Sequence, residues 1–343
     1  MLLTAAPLHP THAWQLMFAP LQHHDSGWLD VGDGHEMYWE QSGHPGGAAA
    51  LVLHGGPGAG SSASDRRWFN PEHWRIVSFD QRGCGRSRAA HALHANGTPQ
   101  LLADIEALRR HLGVDRWLLF GGSWGTTLAL AYAQQYPRHV SGLVLRGVFM
   151  ATRAETEWLY GPRGAALRHP QAWRRLCAAL GVTAAADLLQ AMQDQLQGKH
   201  ASDAKVLTAA HAWCAWEHDL MDAETTLAPA PRPPLADEQA LAQARIGVHY
   251  ARAGWFIEEG RLLADAVRLA GLPGVIVQGQ RDLVTPPTAA RALHAAWPQA
   301  QLCEVATAGH ASSHPSIARH LVHAIEALVP TLQETNHVRI KSG

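Results

Sequence analysis

The residues whose type and spacing best suit chemistry are Gly121-Gly122-Ser123-Trp124-Gly125. They fit the pattern G-x-S-x-G, and the flanks fit as well. The apolar run RWLLFGG (116–122) precedes the serine, and the apolar helical stretch TTLALAYAQQYP (126–137) follows it. A serine on a sharp strand-to-helix turn carries its hydroxyl clear of the sheet edge, and the start of the next helix faces developing negative charge. Side chains at 121 or 125 would crowd such a turn. The chemistry predicted is acyl transfer with Ser123 as nucleophile.

A serine hydroxyl needs a base, and the base needs an orienting acid. With this strand-elbow-helix arrangement the chain order is serine, acid, histidine. Asp282 follows the apolar run GVIVQG (274–279), and His310 follows QLCEVAT (301–307). Asp282 is therefore expected as the acid and His310 as the base. Glu258, Glu259 and Asp265 are rivals for the acid, and His314, just before Pro315, is the rival base. The oxyanion hole is expected from the Trp124 N–H and one from His54-Gly55-Gly56-Pro57-Gly58, with Gly56 the favoured donor. Pro57 has no N–H and can only stiffen that loop.

These residues require a scaffold, and the chain supplies a pattern for one. WLDVGDGHEMYWEQSG (28–43) reads as a β-hairpin. AALVLHGG (49–56), WRIVSFDQRG (74–83), RWLLFGG and VSGLVLRG (140–147) read as buried parallel strands. Helices are predicted over 99–112 and 126–137, and again over 286–297 and 315–329. The expected fold class is α/β, a mostly parallel central sheet flanked by helices. Strand runs vanish between 150 and 262, where Trp, Ala, Leu and Gln recur at helical spacing and APAPRPP (228–234) breaks the pattern. The expected organisation is an arm at 1–26, a core from 27–149 and 263–330, an inserted helical cap at 150–262 and a polar, frayed tail at 331–343.

Composition narrows the function classes. Of 343 residues, 47% are apolar, enough for a sizeable core, and 28 basic against 29 acidic residues give a charge of −1. No basic footprint for nucleic acid or a membrane surface follows from that balance. The start MLLTAAPLHPTHAW is a poor signal peptide, and no apolar run is long enough to span a membrane, so a cytoplasmic setting is expected. The four cysteines, Cys84, Cys177, Cys214 and Cys303, form no CxxC pair. They read as free thiols, with Cys84 between glycines the one open to reagents. The 23 histidines are scattered, without metal-ligand spacing.

HGGPG (54–58), DQRGCGRS (80–87), GGSWGTTLALAYA (121–133) and VSGLVLRGVF (140–149) together resemble the proline iminopeptidase family of α/β-hydrolases. The resemblance runs from about Gly27 to Leu328 and is strongest outside the cap. It implies an α/β-hydrolase fold and removal of an N-terminal residue, typically proline, from short peptides. It implies no metal or organic cofactor and a monomer or small homo-oligomer, while the charge balance already argues against a nucleic-acid or membrane partner. It also implies an acidic anchor for the substrate amine in a Trp-x-x-Trp-Glu segment, which Trp213-Cys214-Ala215-Trp216-Glu217 matches, so Glu217 is the candidate. Phe149 keeps an aromatic of the family's ring pocket. Departures stand beside these matches. Gly247 occupies the place of a second glutamate, and Ala251 and Leu159 the places of aromatics. Either Asp219, Asp222 or Glu224 compensates, or the preferred substrate is not a free N-terminal proline.

Within DQRGCGRS, Arg82 and Arg86 read as structural ion-pair partners. Three functions compete at this level: an aminopeptidase, an amidase or esterase for small uncharged acyl substrates, and a binding protein without chemistry. The complete Ser-Asp-His set argues against the last.

Overall fold

The structure is a computed structural model that describes residues 16–89, 93–183, 187–196, 204–223 and 235–340. Its strands are β1 (His23–Asp30), β2 (Glu36–Gly43), β3 (Ala48–Leu53), β4 (Trp74–Phe79), β5 (Trp117–Gly122), β6 (Val140–Arg146), β7 (Gly274–Gly279) and β8 (Ala300–Val305). They form one sheet in the order β1-β2-β4-β3-β5-β6-β7-β8. β1 and β2 are antiparallel to their neighbours, and all other pairs are parallel.

The central strands are continuously apolar because both faces are covered. Alternate residues serve opposite cores. Leu51, Leu53, Trp117 and Leu119 join one, while Ala50, Val52, Leu118 and Phe120 join the other, with Trp68, Phe69 and Ile317. The helices in chain order are α1 (Thr98–His111), α2 (Trp124–Gln135), α3 (Arg153–Tyr160), α4 (Ala165–Arg168), α5 (Pro170–Leu180), α6 (Leu188–Leu196), α7 (Ala204–Asp222), α8 (Asp237–Arg252), α9 (Arg261–Ala264), α10 (Pro287–Ala296) and α11 (Pro315–Ile340). Between β6 and β7 every described element is helical, with α7 packed on α5 and α8, and α6 against both α7 and α8. α8 also meets the glycine loop after β3: a Cβ on Gly58 would lie 3.1 Å from Gln243 Cα.

Two features differ from the sequence expectation. β1 begins at His23, inside the segment expected to be an arm; its polar HHDSG start is tolerated because β1 is an edge strand with mostly exposed residues. α11 runs on to Ile340 through the segment expected to fray, since TLQETNHVRI contains no glycine or proline to stop it. The expected break APAPRPP lies outside the described residues.

Candidate active site

Asp282 lies in the loop after β7 and His310 in the loop after β8. Both are buried, and His310 Nδ1 is 2.7 Å from Asp282 Oδ2. The carboxylate is held from all sides. Its Oδ1 accepts the backbone N–H of Val284 at 2.9 Å and of Thr285 at 2.8 Å. Its Oδ2 also accepts the Thr285 hydroxyl at 2.9 Å. Burial alone would raise the Asp282 pKa, but the His310 ring and the Thr285 donors hold it below the usual carboxylate value. Asp282 is thereby kept as an acceptor, and His310 Nδ1 carries the proton.

Ser123 links β5 to α2 with φ 57° and ψ −125°, a strained conformation for a residue with a side chain. Its N–H donates to Arg146 O at 2.9 Å. A Cβ on Gly125 would collide with Leu53 O, and one on Gly121 with Gly125 O, which is why this turn needs glycine on both sides. Ser123 is partly open to solvent.

Arg146, at the end of β6, joins the elbow to the imidazole. Its guanidinium lies against Gly122, and its Nη1 donates to His310 Nε2 at 3.0 Å and to His310 O at 2.9 Å. Gly147 leaves room for the ring: a Cβ there would come within 2.9 Å of His310 Cε1. Because guanidinium only donates, His310 Nε2 is the acceptor in this contact and carries no proton. Burial lowers the Arg146 pKa, and the charges of Asp282 and Asp65 oppose that. Sequence reasoning passed over Arg146 and Thr285. The available signal for Arg146 was a lone cation closing the apolar run VSGLVLRG.

The glycine loop after β3 lies over the serine, with a Cβ on Gly55 only 3.6 Å from Ser123 Cβ. Gly56 has φ 114°, reachable without strain only by glycine. Trp124 opens α2, so its N–H has no acceptor within the helix. The Gly56 and Trp124 amides thus belong to two segments that converge beside Ser123.

Glu217, on α7, accepts from Tyr160 Oη at 3.1 Å and from Gln243 Nε2 at 2.9 Å. Burial pushes its pKa up to about 7, with those donors opposing the rise. Gln243 is the α8 residue against Gly58, so Glu217 is one side chain removed from the glycine loop. The end of α7 reaches the other flank of the site, where a Cβ on Gly309 would be 3.1 Å from Ala223 O. Phe149 is buried, edge-on to Trp255 at 4.7 Å, and its backbone is tied to Thr126 and Thr127 of α2. Leu159 and Ala251 are buried as well. At Gly247 a Cβ would meet the Trp213 ring at 3.1 Å, and that ring stacks on Tyr160 at 4.5 Å.

Among the suggested compensating acids, Asp219 is tied to Arg175 at 2.7 Å. The Asp222 side chain and Glu224 lie outside the described residues. The rival acids are engaged elsewhere: Glu259 accepts the Arg153 N–H, Asp265 pairs with Arg261, and Glu258 is exposed near Arg261. His314 accepts the Ser316 N–H at 3.3 Å at the start of α11. Cys84 is a correction. It is 1% exposed, with its thiol pushed far up in pKa by burial, so it is closed to reagents. Arg82 grips Asp104 at 2.7 and 2.8 Å, and Arg86 grips Asp80 and Glu40 at 2.8 Å each. Among the described residues no group of three or more His, Cys, Asp or Glu is placed to hold a metal ion. Nor is any helix among them long and apolar enough to cross a membrane.

Comparison with known proteins bears on the family and the fold. Residues 50–315 match the family model for the alpha/beta hydrolase fold. Over 310 residues the chain is 46% identical to a proline iminopeptidase of Xylella fastidiosa, covering 89% of this chain and 96% of that one. It is 42% identical to a proline iminopeptidase of Arabidopsis thaliana, covering 91% and 82% of the two chains. The crystal structure of proline iminopeptidase from Mycobacterium smegmatis superposes with a TM-score of 0.59 at 17% identity, covering 91% of this chain and all of that one, a likeness of fold. Matched over most of its length by such relatives, the chain belongs to the proline iminopeptidase family of α/β hydrolases.

Proposed function

We propose that this protein is a serine aminopeptidase that releases an N-terminal residue, proline foremost, from short peptides through an acyl-enzyme. The observation that carries the reading is the 2.7 Å His310–Asp282 couple on the same sheet edge as the strained Ser123 elbow. The relatives named proline iminopeptidase supply the class of acyl residue.

His310 Nε2 takes the Ser123 proton as the hydroxyl attacks the first residue's carbonyl, and Arg146 yields that lone pair when substrate seats. The Gly56 and Trp124 amides receive the oxyanion. The imidazolium then protonates the leaving amine, and water repeats the sequence on the ester. Asp282, fixed by Thr285, keeps the imidazole in the productive tautomer. Residues 150–262 act as a cap that admits a chain end rather than a chain middle. Glu217 receives the substrate ammonium, and Phe149 walls the ring pocket. Free thiols suit a reducing, cytoplasmic setting.

A second reading, an amidase or esterase for uncharged acyl groups, draws on Gly247. With glycine at 247, against the Trp213 ring, a substrate ammonium meets one acid rather than two. Turnover of prolyl, alanyl and N-acetyl-prolyl arylamides beside an aryl acetate separates the two. The aminopeptidase is expected to lose most turnover on N-acetylation; equal rates with and without the free amine would leave only the second reading. Ser123→Ala must abolish every one of these activities.

A further inference from the structure

The glycine loop that offers Gly56 has little means of holding its own shape. Residues 55–60 read Gly-Gly-Pro-Gly-Ala-Gly, with no side chain beyond a methyl and one ring. Gly56, Gly58 and Gly60 all take positive φ. Such a segment is placed by what grips its ends.

Both ends are gripped by consecutive residues after β4. Asp80 Oδ1 accepts the Ser61 N–H at 2.8 Å and the Ser61 hydroxyl at 2.5 Å. Gln81 holds His54 twice: its Nε2 donates to His54 O at 3.0 Å, and its backbone N–H donates to His54 Nε2 at 3.0 Å. The second bond settles the His54 tautomer, leaving Nδ1–H to donate to Gly55 O at 2.9 Å. The remaining atom of the Gln81 amide, Oε1, accepts from Trp124 Nε1 at 2.9 Å. Gln81, His54 and Trp124 are 2%, 5% and 1% exposed, so water cannot replace these partners.

We propose that Gln81 is a positioning residue for the oxyanion hole, its amide bridging the end of β3 to the first residue of α2 and so setting the separation of the Gly56 and Trp124 N–H groups. This rests on the reading of those two amides as the oxyanion donors. The bridge needs one donor and one acceptor on one buried side chain of this length. Ionised glutamate lacks the donor, methionine has no donor and only a weak acceptor, and asparagine is a methylene short. A bridge of this kind acts on the tetrahedral state, where the donors must converge on one oxygen, and leaves the Glu217 and Phe149 contacts of the ground state alone.

The test uses the full chain with Gln81→Met, Gln81→Glu and Trp124→Phe, the last removing the same link from the indole side. The readouts are kcat and KM on a prolyl arylamide, and inhibition by pyrrolidine-2-boronic acid, whose adduct with Ser123 puts an oxygen in the oxyanion position. In Gln81→Met, kcat is expected to fall about 10- to 100-fold, short of the roughly 10²–10³ that loss of a whole donor costs. KM stays within about twofold, since uniform binding is untouched, and Ki for the boronate rises by the same factor as kcat/KM falls. Gln81→Met and Trp124→Phe combined in one chain are expected to do no more than Gln81→Met alone. A fall in kcat with unchanged boronate affinity, full activity of Gln81→Met, or additive effects would each overturn the role. If Gln81→Met does not fold, Trp124→Phe carries the same paired readout. Wild-type indifference to the boronate, or turnover by Ser123→Ala, would instead remove the oxyanion hole itself and the Gln81 role with it.

Discussion

At the scale of single residues, Glu217 is the group whose environment has the most measurable consequence. In the proposed role of amine anchor, its pKa of about 7, raised by burial, sets a proton against a substrate ammonium for one carboxylate near neutrality. KM for free-amine substrates is therefore expected to climb as pH falls below about 7, while KM for neutral esters stays flat. Steady-state kinetics between about pH 5.5 and 8.5, with both substrate types, check this. Glu217→Gln should erase the difference, raising KM for free amines roughly tenfold or more and sparing esters. The same group affects stability in a defined direction. Folding lifts its pKa from 4.5, so the cost of ionising it is absent below about pH 4.5 and fully present above about pH 7. Without substrate, Glu217→Gln is thus expected to raise the melting temperature at about pH 8 and to leave it unchanged at about pH 4.5, as calorimetry would show.

Thr285 belongs to the same scale. Its hydroxyl shares Asp282 Oδ2 with His310. Thr285→Val should reduce kcat roughly fivefold, the worth of about 1 kcal/mol, and Thr285→Ser should restore it. Ser123, Asp282 and His310 were legible because each sits in a local pattern of glycines and strand ends. Arg146 and Gln81 were not, because their roles exist only across long separations, Arg146 and His310 being 164 positions apart; Thr285, three residues from Asp282, carries no glycine or strand-end pattern that marks it.

At the scale of elements, the elbow is the most constrained turn. Gly125→Ala drives a methyl into Leu53 O of β3, and Gly121→Ala drives one into Gly125 O. Each is expected to cost about 1–3 kcal/mol in denaturant unfolding and to displace Ser123, with larger losses in kcat than in stability. The parallel strands were readable because burial on both faces makes them uniformly apolar. The start of β1 and the end of α11 were not, because one is the polar opening of an edge strand and the other a helix end of mostly polar residues, and neither is marked by hydrophobic periodicity.

At the scale of the whole molecule, Arg82 ties distant parts together. It is 3% exposed, and it bonds Asp104 on α1, Val31 O and Asp33 in the β1–β2 turn, and Ala95 O. The adjoining Asn96 accepts from Tyr250 Oη at 3.0 Å, which extends the tie to α8. Asp104→Ala leaves Arg82 short of its buried partner and is expected to cost about 3 kcal/mol in urea unfolding, with kcat little changed well below the melting temperature.

The wedge of Trp213 between Gly247 and Tyr160 has a consequence for how selectivity could change by descent or by engineering. A Cβ introduced at 247 would press at 3.1 Å on an indole that is already stacked on its other face. Gaining an acid at 247 therefore asks the Trp213–Tyr160 stack for a small shift, a change within reach of one substitution.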